Sequence, residues 1–98
     1  MKVDIQTIHF DADKKLEARI SNKVAKLNTY FDGIMDANVN LRLDKSDTRE
    51  NKVVELKISV IGSEMFSKKQ SASFEDAFDK SYEAVRNQLI KYKEKVRQ

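Results

Sequence analysis

Apolar side chains recur every three or four residues through the last quarter of the chain, which predicts a long amphipathic helix over residues 73–98. Its apolar stripe comprises Phe74, Phe78, Ser81 with Tyr82, Val85, Leu89, Tyr92 and Val96. Ser73 is a suitable N-cap, and Asp76, three residues later, would complete a capping box. We expect Leu89 to be fully buried where this helix meets the rest of the fold.

Alternation of apolar and polar residues predicts three strands, over residues 2–8, 38–43 and 54–60. A fourth strand, within residues 64–72, follows a turn at Gly62-Ser63 and is expected to be a short, partly exposed edge strand. A first helix lies between the first two strands, with Asp13 as its N-cap and an end at Asp32-Gly33 in which the glycine is left-handed. Its apolar stripe is Leu16, Ile20, Val24, Leu27 and Phe31.

The element order is therefore β-α-β-β-β-α. Each strand has one apolar face and each helix has one apolar stripe, so both helices can be buried by packing on one face of the sheet. The first two strands are separated by a helix and should be parallel, whereas the later ones should be antiparallel. The sequence predicts an α+β fold with a four-stranded mixed sheet, a layered sandwich like that of double-stranded-RNA-binding domains.

Composition limits the classes of protein to which the chain can belong. Its 98 residues are expected to form one domain, residues 1–98. It has no cysteine, which excludes disulfides and thiolate metal sites and favours a reducing, cytoplasmic setting. The N-terminus lacks the apolar segment of a signal peptide, and no apolar run reaches membrane length. The formal net charge of +3 is a weak indication of a polyanionic partner.

Bases form rows beside the apolar stripes of both helices. Lys15, Arg19, Lys23 and Lys26 are spaced by four, four and three residues, and each precedes an apolar stripe residue. In the last helix, Arg86, Lys93 and Arg97 form one row, and Gln88, Lys91 and Lys95 form another. If the helices lie side by side, the row that begins at Lys15 and the row that begins at Arg86 border one groove. The alternative interpretation, an ordinary solvated helix face, remains open at this point.

Catalytic or metal chemistry has little support in the sequence. His9 has no cysteine partner and no nucleophile motif around it. Asp44, Asp47 and Glu50 share a loop but lack the glycine of a calcium-binding loop, so a solvated polar loop is the better interpretation. Tyr82 and Tyr92 could stack on bases, but their place on the packing stripe favours the core. We predict no enzyme activity and no cofactor.

Three segments, taken in order, resemble the ribosome hibernation-promoting factors, also called ribosome-associated inhibitors or sigma-54 modulation proteins. They are Val3-Asp4-Ile5, the helix ending Val24-Ala25-Lys26-Leu27-Asn28-Thr29-Tyr30-Phe31-Asp32 followed by Ile34, and Gln88-Leu89-Ile90-Lys91-Tyr92-Lys93-Glu94-Lys95. The resemblance implies a factor that binds the small ribosomal subunit near the decoding region. It also implies that bound factor blocks mRNA and tRNA and silences translation in idle, stationary-phase or stressed cells.

By the same resemblance, the RNA-binding residues are Lys23, Lys26, Arg86, Lys91, Lys93 and Lys95. The implied partners are ribosomal RNA and neighbouring ribosomal proteins, with no membrane and no small-molecule substrate, and the free protein is expected to be a monomer. The chain departs from the family at Asn87, where many members have arginine, and at Ser73-Phe74-Glu75, where Asp-Met-Tyr is usual. Because it ends with its last helix, it is expected to be a short form. The alternative is a general double-stranded-RNA or protein-interaction module.

Overall fold

The computed structural model describes residues 1–8, 10–44 and 49–96. Its elements in chain order are β1 (Lys2–Ile8), α1 (Lys14–Ala25), a 3₁₀ turn (Lys26–Thr29), β2 (Ile34–Leu43), β3 (Lys52–Val60), β4 (Ser63–Ser71) and α2 (Phe74–Val96). The strands form one sheet in the order β1-β2-β3-β4, in which β1 pairs with β2 in parallel and the other pairs are antiparallel. The predicted α+β fold with a mixed sheet is confirmed.

One face of the sheet carries the core. The register aligns Ile5 with Val39 and Val39 with Leu56, so alternate residues of three neighbouring strands face the same way. The helices cover this face, and their buried residues belong to the same apolar cluster: Leu16, Ile20 and Val24 from α1, and Ala77, Phe78, Tyr82, Val85 and Leu89 from α2. Leu89 is fully buried, as the sequence predicts.

The start of α2 differs in part from the predicted capping box. The Asp76 amide donates to the Ser73 hydroxyl over 3.1 Å, so Ser73 caps the helix as expected. The Asp76 carboxylate, however, accepts a hydrogen bond from the Ser71 hydroxyl and pairs with Lys80 at 3.1 Å. The hydrogen bond from Ser71, reinforced by Lys80, lowers the pKa of Asp76. At the other end, Val96 is 53% exposed, so its predicted place in the buried stripe is wrong.

The end of α1 is also corrected. Asp13 caps the helix by accepting from the Leu16 amide at 2.7 Å, but the α-helix ends at Ala25 and a 3₁₀ turn follows. Gly33 does not adopt the predicted left-handed conformation, and Gly62 is the glycine with positive φ, at 81°. A Cβ at Gly33 would lie 2.6 Å from Phe31 Cε1. A larger residue at position 33 would therefore require the Phe31 ring to move away from the backbone.

Three strands are longer than predicted, and β3 begins at Lys52, two residues before its predicted start. β2 begins at Ile34, and a bulge between Ile34 and Asp36 interrupts the alternation that would have revealed its start. β4 spans nine residues, paired with β3 from Ser63 to Ser71. It is the partly exposed edge strand expected from the sequence, although it is not short. Within the described ranges, no helix is both long and apolar enough to cross a membrane.

Candidate nucleic-acid interface

Asp79 of α2 joins the two helices on the side of the molecule where the basic rows were predicted. Its Oδ2 lies 3.0 Å from Arg19 Nη2, and its Oδ1 lies 3.0 Å from Lys23 Nζ. These contacts place the basic row of α1 beside α2, as the shared-groove prediction requires. They also put an acidic side chain among the bases. The helix dipole alone would also favour an acid such as Asp79 in the first half of α2.

Lys23 is held by a second contact within the molecule. Its Nζ lies 5.2 Å from the centre of the Tyr82 ring, within the range of a cation–π interaction. Tyr82 is itself buried, and this burial raises the pKa of its hydroxyl, with Tyr30 adding to the effect and Arg86 opposing it. The Lys23 ammonium group is therefore held by both the Tyr82 ring and the Asp79 carboxylate.

Arg86 and Lys93 follow Asp79 at intervals of seven residues, so they lie on the same side of α2. Arg86 is half-buried, and its Nε is a buried side-chain nitrogen with no hydrogen-bond partner in the part of the chain that the structure describes. Lys93 lines an open cleft of about 430 Å³ with Tyr30, Asp32 and other residues of the α1–β2 connection. Both bases thus face the groove between the helices.

Lys91 and Lys95 lie on the opposite flank of α2. They follow Gln88 by three and seven residues, and Gln88 bonds to the backbone of the edge strand β4. Both lysines are exposed. Lys26 is exposed at the start of the 3₁₀ turn and continues the row of α1. The structure therefore divides the predicted site residues between two flanks. Arg97, predicted to extend the groove row, lies outside the described residues.

The two tyrosines of α2 have structural roles. The Tyr92 hydroxyl donates to the Ile61 carbonyl at 3.2 Å, and its ring meets Phe31 edge to face with 5.6 Å between centroids. Tyr92 consequently ties the last turns of α2 to the β3–β4 turn and to the connection after α1. The interpretation that the tyrosines pack in the core is confirmed for Tyr82, which is buried, whereas Tyr92 is partly buried and packs against the core.

The uncovered face of the sheet has a different electrostatic character. The register places four bases and four acids there: Lys2, Arg42, Lys57 and Lys68, with Asp4, Asp36, Glu55 and Glu64. Arg42 and Glu55 pair at 3.2 Å. Because these charges balance, this face offers no net attraction to a polyanion. The surface best suited to phosphate groups is the one formed by the helices.

The loop considered for a divalent ion gives no support to that role. Gln70 donates to Asp44 Oδ2 at 3.5 Å and to the Glu50 carbonyl, which joins the loop to β4. Asp47, the third acid of that hypothesis, and His9, the candidate catalytic histidine, lie outside the described residues. Among residues 1–8, 10–44 and 49–96, no three side chains of the types that bind metals are grouped together.

Comparisons with known proteins agree with this architecture. Residues 3–97 match the family model described as Sigma 54 modulation protein / S30EA ribosomal protein. The chain is 28% identical over 96 residues to the ribosome hibernation promotion factor of Bacillus subtilis (strain 168). That match covers 98% of this chain but 50% of the relative, so the chain spans about half the length of the curated protein.

Two solved structures share the fold. The N-terminal domain of Protein Y from Thermus thermophilus aligns with a TM-score of 0.81 at 18% identity, covering 94% of this chain and 99% of that one. A ribosomal subunit interface protein from Coxiella burnetii aligns with a TM-score of 0.84 at 19% identity, covering 95% and 98%. At these identities the likeness concerns the fold.

Proposed function

The chain belongs to the sigma 54 modulation protein / S30EA ribosomal protein family, and from this membership we propose that it is a ribosome hibernation factor. In this proposal it acts in the cytoplasm, binds the small ribosomal subunit near the decoding region, and blocks the binding of mRNA and tRNA. The observation that carries the proposal is the family match over residues 3–97. The bases of both helices supply a surface that suits ribosomal RNA.

The binding chemistry follows from where the bases lie. Lysine and arginine side chains on rigid helices can neutralise phosphates without reading bases, and much of the affinity then comes from released counterions. Two surfaces contribute. The groove between the helices presents Lys23, Lys26, Arg86 and Lys93 to RNA, and the flank of α2 next to β4 presents Lys91 and Lys95. No cofactor takes part in such binding.

Inhibition in this proposal results from occupancy. The molecule measures 47 × 24 × 18 Å along its principal axes, and a rigid body of this size excludes other ligands from the space it fills. Neither RNA cleavage nor RNA modification is required. Inhibition should therefore be stoichiometric with ribosomes and reversible when salt weakens the phosphate contacts.

Co-sedimentation tests the proposal directly. The purified protein is mixed with small subunits, or with naked duplex RNA of equal phosphate concentration, and the bound fraction is measured over a range of salt. We expect binding to small subunits at salt concentrations at which the duplex is no longer bound. Equal binding to both would contradict the proposal and support a general double-stranded-RNA module. A lack of binding to small subunits would exclude a hibernation factor of this kind.

Cell-free translation tests the mechanism. Addition of the protein should lower synthesis in proportion to the fraction of ribosomes occupied, and a high-salt wash should restore it with ribosomal RNA intact. Inhibition at far fewer copies than ribosomes, or damage that persists after the wash, would show that the protein acts chemically.

A further inference from the structure

We propose that Asp79 occupies a phosphate-binding position on the RNA-facing surface, and that RNA must displace it. The inference rests on the proposed function and adds a residue that sets its affinity. Arg19 and Lys23 are one helical turn apart on α1, and each donates to a different oxygen of the same carboxylate at 3.0 Å. A phosphate group between the same two side chains would offer them the same pair of acceptor oxygens.

The carboxylate is accessible to competition. The exposed fractions of the Arg19, Lys23 and Asp79 side chains are 47%, 34% and 37%, so solvent and polyanions can reach all three. Ion pairs with this exposure are weak, since water and salt screen them. RNA presents many phosphates at high local density. It can therefore replace one exposed carboxylate at modest cost.

Lys23 has a second support that does not depend on Asp79. The Tyr82 ring lies 5.2 Å from its Nζ and is held in the core. When the carboxylate moves away, the ring still orients the ammonium group toward the groove. The surface is thus arranged to accept an anion at the position where Asp79 now lies.

Arg86 provides an independent observation on the same side of α2. Its Nε is buried without a hydrogen-bond partner among the described residues, an arrangement that proteins generally avoid. Because this nitrogen is buried, an RNA phosphate or ribose oxygen could accept from it only after the Arg86 side chain turns toward the groove. Such a movement would give Arg86 a hydrogen-bond partner that it lacks within the described residues.

This arrangement gives Asp79 a role in specificity. With the carboxylate in place, the Arg19, Lys23 and Asp79 side chains together carry one positive charge; without it, they would carry two. Asp79 thus weakens binding to any polyanion. The loss of affinity is largest for nucleic acids whose phosphates are sparse or poorly positioned, because these ligands make few contacts with the other lysines and arginines. The protein gives up some affinity and in return binds less to unrelated nucleic acid.

The test compares Asp79→Asn with Asp76→Asn. Both changes remove one negative charge from α2, but the Asp76 carboxylate contacts Ser71 and Lys80, on the side of α2 that faces β4. Affinity for small subunits and for the single-stranded probe poly(U) is measured as a function of salt. The wild-type complex already contains this phosphate once Asp79 is displaced, so Asp79→Asn removes only the ion pairs that RNA has to break. We expect about two- to fivefold tighter binding at 0.1 M salt, with a gain that shrinks as salt screens those pairs.

The control Asp76→Asn should tighten binding much less. Adding Lys23→Gln to Asp79→Asn should remove the gain. Lys23→Gln alone leaves Asp79 and α2 unchanged and should weaken binding, so it tests the inference if Asp79→Asn folds poorly. Equal effects of Asp79→Asn and Asp76→Asn, or weaker binding by Asp79→Asn, would overturn the inference and leave Asp79 with a structural role. Failure of the wild-type protein to bind small subunits would instead refute the proposed function, and the poly(U) comparison would still test Asp79.

Discussion

Gln88 of α2 and Phe66 of β4 form two hydrogen bonds with each other at the β4 edge of the sheet. The Phe66 amide donates to Gln88 Oε1 at 3.0 Å, and Gln88 Nε2 donates to the Phe66 carbonyl at 2.8 Å. A side chain of α2 thereby occupies backbone groups of β4 that could otherwise pair with another strand. The contact also fixes α2 over the edge strand.

Gln88→Ala should therefore expose the Phe66 amide. We expect faster hydrogen exchange at this amide, a greater tendency to self-associate, and a loss of unfolding free energy of no more than about 1 kcal/mol, because water can replace the lost partners. Hydrogen exchange by NMR and light scattering measure the effects. Gln88→Glu is the matched control, since it keeps the acceptor for the amide but removes the donor to the carbonyl. Unchanged exchange at Phe66 in Gln88→Ala would contradict this role.

Leu89→Ala tests the packing of α2 on the sheet. Leu89 is fully buried, so truncation should lower the unfolding free energy by about 2–5 kcal/mol through lost burial and a residual cavity. Val96→Ala is the control on the same helix. Val96 is 53% exposed and its truncation should change stability by less than about 0.5 kcal/mol. Similar denaturation midpoints for both variants would show that the apolar stripe is misassigned.

Asp76 should make the unfolding free energy depend on pH. The Ser71 hydrogen bond and Lys80 lower the pKa of this carboxyl below its ordinary value of 3.8, so the folded state favours the charged form. The resulting stabilisation is present above that ordinary pKa and is lost as the pH falls through the lowered one. Asp76→Asn should thus be less stable than wild type near neutrality, with a difference that shrinks in acid. Urea denaturation from pH 2 to pH 7 measures it, and a pH-independent difference would contradict the assignment.

Lys91→Ala with Lys93→Ala tests the binding surface on both flanks of α2. If each lysine neutralises one phosphate, the salt-dependence slope of small-subunit binding should fall by about 1.4–1.8 units. Folding should change little, since exposed charges contribute only tenths of a kcal/mol. Lys57→Ala with Lys68→Ala removes the same charge from the uncovered, charge-balanced face. An equal loss of slope in this control would show that the helices are not the binding surface.

The sequence predicted the element order, the mixed sheet and the buried stripe of α2 from Phe78 to Leu89, because periodic burial produces a periodic pattern. Local departures from this periodicity could not be predicted from the sequence. The bulge between Ile34 and Asp36 hid the start of β2. Gly33 resembled a helix end, whereas the constraint at that position is the Phe31 ring, a contact that residue type alone does not reveal.

The candidate site was predictable only in outline. Helical spacing identified the rows of bases and their adjacency to the apolar stripes. The bridge from Asp79 to Arg19 spans 60 residues of sequence, and its carboxylate already had an explanation in the helix dipole. The one available signal was angular, since Asp79 lies in line with Arg86 and Lys93 at intervals of seven.

The parallel pairing of β1 with β2 also affects the order in which the elements assemble during folding. β1 is made first, but its neighbour in the sheet begins only at Ile34, after α1 and the 3₁₀ turn have been added. The pairs β2–β3 and β3–β4 join strands that follow one another along the chain. Closing longer segments costs more entropy, so we expect the antiparallel strands and α2 to assemble first. The first strand to be synthesised is then among the last to dock.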